Sequence, residues 1–245
     1  MQDADLDGRV ALVTGSAAGL GRGLALALAD AGADVAVHYY SSDDEAATTA
    51  ADARAFGVDA TAVQGDVTDP ESVDALFDEA EAELGSVDVL VNNVGDFAPS
   101  HWEEIDLDTW NRVLATNLNG TMLCSRRALP AMREGEWGRI VNVGYASSEK
   151  AMVGATNFPY FVAKTGVLMF TRMLAADTQD DGITVNAVSP YVIETSDEFP
   201  DEAPRGRWAT VEDVANAALF FCRSDSDYVS GENVEIDGGW LPETI

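Results

Sequence analysis

Cationic side chains are scarce in this sequence. Lysine and arginine together number 14 against 43 aspartates and glutamates, which gives a formal net charge of −29 at pH 7 over 245 residues. A charge of that size excludes a general electrostatic attraction to nucleic acid or to an anionic membrane. Long hydrophobic runs are also missing, and none approaches the roughly 18 apolar residues of a membrane-spanning helix. We therefore expect neither nucleic acid nor membrane as a partner.

Cysteine and histidine are equally rare. Cys124 and Cys222 lie far apart in helix-like stretches, which favours buried thiols in a reducing cytoplasm over a disulfide framework. His38 and His101 are the only histidines, and no cluster with metal-ligand spacing accompanies them, so we expect no catalytic metal. The acidic first residues lack the basic region of a signal peptide, which again predicts a cytoplasmic protein.

Lysine is the scarcest cation, since only two of the 14 lysines and arginines are lysines. This acidic, arginine-biased composition resembles that of proteins from salt-loving cytoplasms, and an ordinary acidic cytosolic protein is the alternative. Near 1 M salt the screening length falls to about 3 Å, which relieves repulsion among exposed carboxylates. The composition therefore predicts folding that strengthens with salt.

Apolar segments of two periodicities alternate along the chain, which is 47% hydrophobic. Short β-type runs followed by helical patterns are typical of βαβ units and a parallel sheet. Strands are predicted over 10–14, 34–39, 59–64, 87–92, 139–143, 184–189 and 233–236, and helices over 20–31, 44–56, 70–84, 107–133, 159–178 and 211–222. We expect an α/β fold, a single domain over 1–245 with a doubly wound, Rossmann-type parallel sheet of seven strands.

A tyrosine and a lysine lie four residues apart, at Tyr160 and Lys164. On a helix this spacing places both side chains on one face. An ammonium beside a phenol favours the phenolate and lowers the tyrosine pKa from its usual value of about 10. Such a phenol can exchange a proton with a carbonyl or an alcohol oxygen. A surface helix pair is the alternative interpretation.

A glycine-rich turn follows the first predicted strand, with the spacing Gly-x-x-x-Gly-x-Gly over Gly15, Gly19 and Gly21. A strand, a glycine turn and a helix present backbone N–H groups and a helix N-terminus to a pyrophosphate. The same turn can be merely structural. Together with the tyrosine–lysine pair, it favours a dinucleotide cofactor.

These segments together resemble the short-chain dehydrogenase/reductase family, and the resemblance runs from Arg9 to Trp240. Val94 replaces an alanine of the family pattern and Tyr191 replaces a glycine. The matching segments are 14–21, Asp66-Val67, 92–95, Asn117, the pair Tyr160 and Lys164, and 190–195. Within the family, the chain looks most like the 3-oxoacyl-thioester reductases.

The resemblance implies catalytic roles. Tyr160 would be the general acid in reduction, Lys164 would bind the nicotinamide ribose, and Asn117 would hold a water that resupplies the proton. The family also places a serine after the fifth strand to orient the substrate carbonyl. Counting back from Tyr160 gives Ser147, our choice, whereas counting forward from the strand gives Tyr145. Ser148 is a third candidate.

The resemblance also implies a nicotinamide cofactor, with NADP(H) preferred and NAD(H) possible. NAD-selective relatives carry an acidic residue at the end of the second strand. Tyr39 stands there, while Ser41 and Ser42 can donate to a 2′-phosphate. The implied cofactor-binding residues are Gly15, Ser16, Gly19, Leu20, Gly21, Tyr39, Ser41, Ser42, Asp66, Val67, Asn93, Gly95, Tyr160, Lys164, Pro190, Ile193 and Thr195.

The substrate side departs from the family, because the lid over 196–206 is short and acidic, and Pro200 and Pro204 discourage a helix there. We expect an open site for a small-molecule carbonyl or alcohol substrate. Reduction of a 3-oxoacyl thioester is the first interpretation. A sugar or polyol dehydrogenase, a pteridine-type reductase and a non-catalytic cofactor-binding regulator are the alternatives. The resemblance also implies a homotetramer.

Overall fold

Seven parallel strands form the centre of the molecule. The computed structural model describes residues 5–146, 148, 155–196, 199 and 203–239. The strands are Val10–Val13 (β1), Asp34–Tyr39 (β2), Ala60–Gln64 (β3), Val89–Asn92 (β4), Gly138–Val143 (β5), Ile183–Pro190 (β6) and Asn233–Ile236 (β7). They form one sheet in the order β3-β2-β1-β4-β5-β6-β7, and every neighbouring pair is parallel.

Helices cover both faces of this sheet. They are Gly19–Asp30 (α1), Asp43–Arg54 (α2), Pro70–Leu84 (α3), Leu107–Leu114 (α4), Gly120–Glu134 (α5), Phe158–Asp177 (α6) and Val211–Cys222 (α7). One apolar cluster joins the sheet to α1, α2 and α7, and the other joins it to α3, α5 and α6. The predicted doubly wound α/β fold is confirmed.

The central strands are apolar on both faces because both are covered. In β1, Val13 packs into the first cluster and Leu12 into the second, and each is 0% exposed. A parallel strand buried on both sides has this continuous apolar run instead of an alternating one. In the sheet order, β1 lies between β2 and β4, so the chain reverses direction across the sheet there. Ligands bind at such a switch point, beyond the carboxyl ends of the strands.

The helix predicted over 107–133 is interrupted. Between α4 and α5 the chain forms a wider, π-helical turn over Ala115–Asn119. Asn117 Nδ2 donates to the Val113 carbonyl at 2.9 Å, and Thr121 Oγ1 donates to the Asn117 carbonyl at 2.9 Å. Side chains that bond nearby carbonyls compete with the regular helical ladder, and single π turns are frequent at functional sites. The interruption places Asn117 against the carboxyl edge of the sheet.

Candidate active site

A cavity of about 1200 Å³ opens at the carboxyl edge of the sheet. Gly15, Asp66, Asn93 and Pro190 reach it from the ends of β1, β3, β4 and β6, and Lys164 reaches it from α6. The parallel sheet therefore brings together segments that lie far apart in sequence.

The glycine turn after β1 forms one wall of this cavity. Gly15 and Gly19 have φ values of 64° and 58°, in the left-handed region that glycine adopts without strain. A Cβ at Gly21 would lie 2.2 Å from the Gly15 carbonyl oxygen, so the turn closes too tightly for any side chain there. A Cβ at Gly19 would meet nothing within 4 Å, which leaves the backbone open to a ligand. This cradle, at the N-terminus of α1, fits a pyrophosphate.

Hydrogen bonds from the segment after β4 hold the turn in place. Thr14 Oγ1 accepts from the backbone N–H groups of Asn93 and Val94 at 2.9 and 3.2 Å. Asn93 Nδ2 donates in turn to the carbonyls of Thr14 and Gly15 at 3.0 and 3.1 Å. Asn93 thus sets the shape of the turn as well as lining the cavity.

His38 is a site residue that sequence reasoning missed. Its Nδ1 accepts from the Gly15 N–H at 2.9 Å, and its Nε2 lies 3.1 Å from the Gly65 carbonyl. These two bonds require the neutral tautomer with the proton on Nε2. Burial lowers the His38 pKa, which favours that form, although the Gly65 carbonyl and Asp66 act in the opposite direction. A histidine one residue before the end of a buried strand was the available signal.

Tyr160 and Lys164 share one face of α6, as their spacing predicted. They are 5% and 3% exposed, and both line the cavity. Lys164 Nζ donates to the Val143 carbonyl at 2.7 Å and lies 5.7 Å from the centre of the Tyr160 ring. The pair is therefore a buried pair at the end of β5, and the surface alternative is wrong.

The pKa values of this pair differ from the expectation. Burial raises the Tyr160 pKa, and the nearby Tyr145 raises it further. Burial lowers the pKa of Lys164 to about 8. Desolvation outweighs the attraction of the ammonium, which is engaged by the Val143 carbonyl. The phenol consequently keeps its proton at neutral pH, which is the form that a carbonyl reduction requires.

Asn117 presents an amide oxygen to the same space. The side chain is 0% exposed, and Nδ2 donates to the carbonyls of Asp96 and Val113, each at 2.9 Å. Its Oδ1 has no hydrogen-bond partner in the described part of the chain. A Cβ at Gly95 would lie 3.3 Å from this oxygen and 3.9 Å from Lys164 Nζ. Glycine at 95 thus leaves both polar atoms facing one small space, which fits a bridging water.

The three candidates for the substrate-orienting hydroxyl differ in their placement. Ser147 lies outside the described residues. Ser148 Oγ donates to the Tyr145 carbonyl at 2.7 Å, and Ser148 is not among the described residues that line the cavity. Tyr145 does line the cavity, with its ring 5.7 Å from that of Tyr160.

The structure brings most of the predicted cofactor-binding residues to the cavity. Those that line it are Gly15, Gly19, Leu20, Asp66, Val67, Asn93, Gly95, Tyr160, Lys164, Pro190, Ile193 and Thr195. The remaining ones are Ser16, Gly21, Tyr39, Ser41 and Ser42. Ser16 Oγ is buried and donates to the Val13 carbonyl at 2.6 Å, and Tyr39 Oη donates to Asp43 at 3.0 Å. At the end of the cavity near β2, the exposed residue is Tyr40 instead.

The described residues offer neither a metal-binding cluster nor a membrane-spanning helix. They contain no group of three or more histidine, cysteine, aspartate or glutamate side chains that could hold a metal ion. Across the same ranges, no helix is long and apolar enough to cross a membrane.

Comparison with known proteins agrees with this geometry. A family model described as enoyl-(acyl carrier protein) reductase matches residues 15–241. The 3-oxoacyl-[acyl-carrier-protein] reductase of Aquifex aeolicus is 34% identical over 244 residues, which is 96% of this chain and 98% of that protein. The structure of a putative short-chain alcohol dehydrogenase from Sinorhizobium meliloti superposes with a TM-score of 0.90 at 33% identity, covering 97% of this chain and 98% of the other.

A third relative was solved with ligands. It is a gluconate 5-dehydrogenase from Burkholderia cenocepacia in complex with NADP and tartrate, with a TM-score of 0.88, 33% identity and coverage of 96% of this chain and 95% of the other. The glycine turn, the buried tyrosine–lysine pair and these matches over nearly the whole length have one explanation. The chain belongs to the short-chain dehydrogenase/reductase family of oxidoreductases.

Proposed function

We propose that this protein reduces a carbonyl to a secondary alcohol with NADPH. The observation that carries the proposal is the convergence of a protonated, buried Tyr160 with Lys164 beside the glycine turn. When bound, the nicotinamide supplies the hydride, which goes to the carbonyl carbon. Tyr160 Oη gives its proton to the carbonyl oxygen, so a C–H and an O–H bond form as the C=O double bond becomes single.

Lys164 takes part in cofactor binding and in proton transfer, and Asn117 takes part in proton transfer. Lys164 binds the nicotinamide ribose and, as an ammonium, stabilises the phenolate that forms when Tyr160 has given up its proton. Asn117 Oδ1 holds a water that returns a proton towards Tyr160 through Lys164. The open oxygen of Asn117 and the lack of a side chain at Gly95 support this route.

A second hydroxyl orients the carbonyl oxygen beside Tyr160. Ser147 supplies it if the family spacing to Tyr160 is preserved, and Tyr145 supplies it if the spacing from β5 is preserved. Ser148 Oγ already donates to the Tyr145 backbone carbonyl, which argues against Ser148 as the residue that orients the substrate.

NADP(H) is the preferred cofactor in this proposal. Tyr39 occupies the place of the acid that NAD-selective relatives use, so no carboxylate from that position repels a 2′-phosphate. Ser41 and Ser42 are exposed beside it and can donate to phosphate oxygens. The solved relative with bound NADP supports the same choice. The test is the ratio of kcat/KM with NADPH to that with NADH, and a higher value with NADH would contradict it.

A 3-oxoacyl thioester is the substrate class that we propose first, because relatives at 34% and 35% identity are named 3-oxoacyl-[acyl-carrier-protein] reductases. The gluconate 5-dehydrogenase structure favours a sugar acid as the second candidate. Consumption of NADPH in molar KCl, measured over 3-oxoacyl thioesters, 3-oxo esters, sugars and a pteridine, separates these classes. No oxidation with any carbonyl would favour a cofactor-binding regulator.

The cellular compartment, the oligomeric state and the salt dependence of folding also belong to the proposal. We propose a cytoplasmic homotetramer adapted to high salt, on the strength of the family resemblance and the net charge of −29. Raising KCl towards molar concentration should increase the free energy of unfolding, because screening reduces repulsion among carboxylates. Sedimentation at the same salt concentrations reads the oligomeric state. Unfolding that is independent of salt would contradict the adaptation, and a monomer would contradict the assembly.

A further inference from the structure

Aromatic rings wall the end of the cavity that lies around Tyr160. The ring of Phe97, from the segment after β4, lies 4.4 Å from the Tyr160 ring. Tyr145, from the segment after β5, meets Tyr160 edge-on at 5.7 Å. Tyr191, which follows β6, lies 6.1 Å from Tyr145. Three strand ends thus each contribute one ring around the proton donor.

Two phenylalanines that line the cavity, Phe97 of this wall and Phe199, are exposed to solvent. Phe97 is 53% exposed and Phe199 is 47% exposed, and both line the cavity. Exposed aromatic rings grouped in a concave site indicate a surface that an apolar ligand covers. Phe199 also packs against Trp208, with the ring centres 5.5 Å apart. Flat rings are the partners that such faces bind best, because offset stacking and edge contacts add to the burial of area.

The charges around this wall disfavour an anionic ligand. Arg112 lines the cavity but pairs with Asp96. Lys164 donates to the Val143 carbonyl, on the side where the dinucleotide is proposed to bind. No other lysine or arginine is among the described residues that line the cavity. Besides the paired Arg112, a phosphate or carboxylate on the substrate would therefore meet only Lys164 as a cation among the described residues that line the cavity, and Lys164 is proposed to serve the cofactor and the proton donor.

We propose that the substrate is a neutral 3-oxoacyl compound whose acyl group carries a flat ring beside the reacting carbonyl. This inference rests on the proposed reductase function and narrows its substrate class. A planar group packs against the rings of Phe97 and Tyr191 with few rotatable bonds to order, whereas a linear acyl chain must fix several. Each aromatic contact favours the ring by roughly 2- to 10-fold.

The test compares two neutral 3-oxo esters that differ in the acyl group. Ethyl 3-oxo-3-phenylpropanoate carries a ring, and ethyl 3-oxohexanoate carries a short chain. We expect kcat/KM with NADPH to be at least roughly 10-fold higher for the phenyl ester, although conjugation makes its carbonyl less electrophilic. Phe97→Leu and Tyr191→Gly should each reduce this preference by roughly 2- to 10-fold. Phe220→Leu, which alters an exposed ring on α7 away from the cavity, is the matched control and should leave the preference unchanged.

A binding measurement accompanies the kinetics. Acetanilide, a neutral flat compound that is not reduced, should inhibit the wild type competitively against either ester, and its inhibition constant should rise in Phe97→Leu. Equal or higher kcat/KM for the linear ester, or a preference that Phe97→Leu leaves unchanged, would overturn the inference while leaving the reductase function in place. Failure to reduce either ester, or any other carbonyl of the wider panel, would instead count against the proposed function itself.

Discussion

Substitution of Lys164 by methionine should stabilise the protein while it damages catalysis. The ammonium is 3% exposed, and burial lowers its pKa from 10.5 to about 8. Below pH 8 the folded protein therefore holds a charge that is more stable in the unfolded chain, at a cost of about 3 kcal/mol. Methionine fills a similar volume without the charge, and it loses the bond to the Val143 carbonyl, a loss of about 1 kcal/mol.

The expected net gain at pH 7 is about 2 kcal/mol, which raises the melting temperature by roughly 4–8 °C for a domain of this size. The pH dependence of this gain follows from the number of protons bound by the folded and the unfolded chain. Between the two pKa values the unfolded chain binds more protons, so the stability of the wild type rises with pH through this window. The advantage of Lys164→Met should shrink by about 2 kcal/mol from pH 7 to pH 9.5 and nearly vanish there.

Thermal and urea unfolding, followed by tryptophan fluorescence in constant molar KCl without cofactor, measure this difference at both pH values. The pH series is the internal control, because a change of packing alone would give the same shift at pH 7 and pH 9.5. Saturating NADP+ should then make the wild type more stable than Lys164→Met. A ligand at 100 times its Kd stabilises the wild type by about 2.7 kcal/mol, and the variant lacks the side chain that is proposed to bind it. A Lys164→Met protein that is less stable than the wild type at pH 7 would refute the reasoning.

Three further predictions concern the proton donor, the orienting hydroxyl and the glycine turn. Tyr160→Phe should lower turnover by about 10²- to 10⁴-fold, while the Kd for NADP+, measured by fluorescence, changes little; near-normal turnover would rule out the proposed acid. Tyr145→Phe or Ser147→Ala should lower kcat by about 10²-fold, whichever supplies the hydroxyl, whereas Ser148→Ala should stay close to wild type; a large loss in Ser148→Ala alone would move the role there. The free energy of unfolding should fall as pH drops below about 6.5, because the lowered pKa of His38 in the fold means that the unfolded chain takes up the proton first. Cofactor affinity should fall only at a lower pH, where His38 is protonated in the folded protein and the acceptor for the Gly15 N–H is lost. In His38→Asn these losses of unfolding free energy and cofactor affinity at low pH should be absent, and an identical pH profile in the variant would show that another group is responsible.

The architecture and the main elements of the candidate site could be predicted from the sequence alone. Alternating β-type and helical periodicities predict the parallel sheet, because a strand buried on both faces and an amphipathic helix are local patterns. The spacing of Gly15, Gly19 and Gly21 predicts the turn, since only glycine fits its positive φ values and tight closure. Tyr160 and Lys164 share a face because residues four apart always do so on a helix.

Features that depend on contacts between distant segments could not be predicted from the sequence. The Tyr160 pKa is raised, against expectation. The direction of this shift depends on how much water the folded cleft removes from the phenol and on the nearby Tyr145. The role of His38 arises where the end of β2 lies against the turn after β1, which no spacing within one segment reveals.

The interruption of the helix at Asn117 depends on its bonds to Asp96 and Val113, of which the first crosses from another element. The aromatic wall assembles from Phe97, Tyr145 and Tyr191, which are separate features in the sequence. They become one surface because the parallel sheet places the carboxyl ends of β4, β5 and β6 side by side.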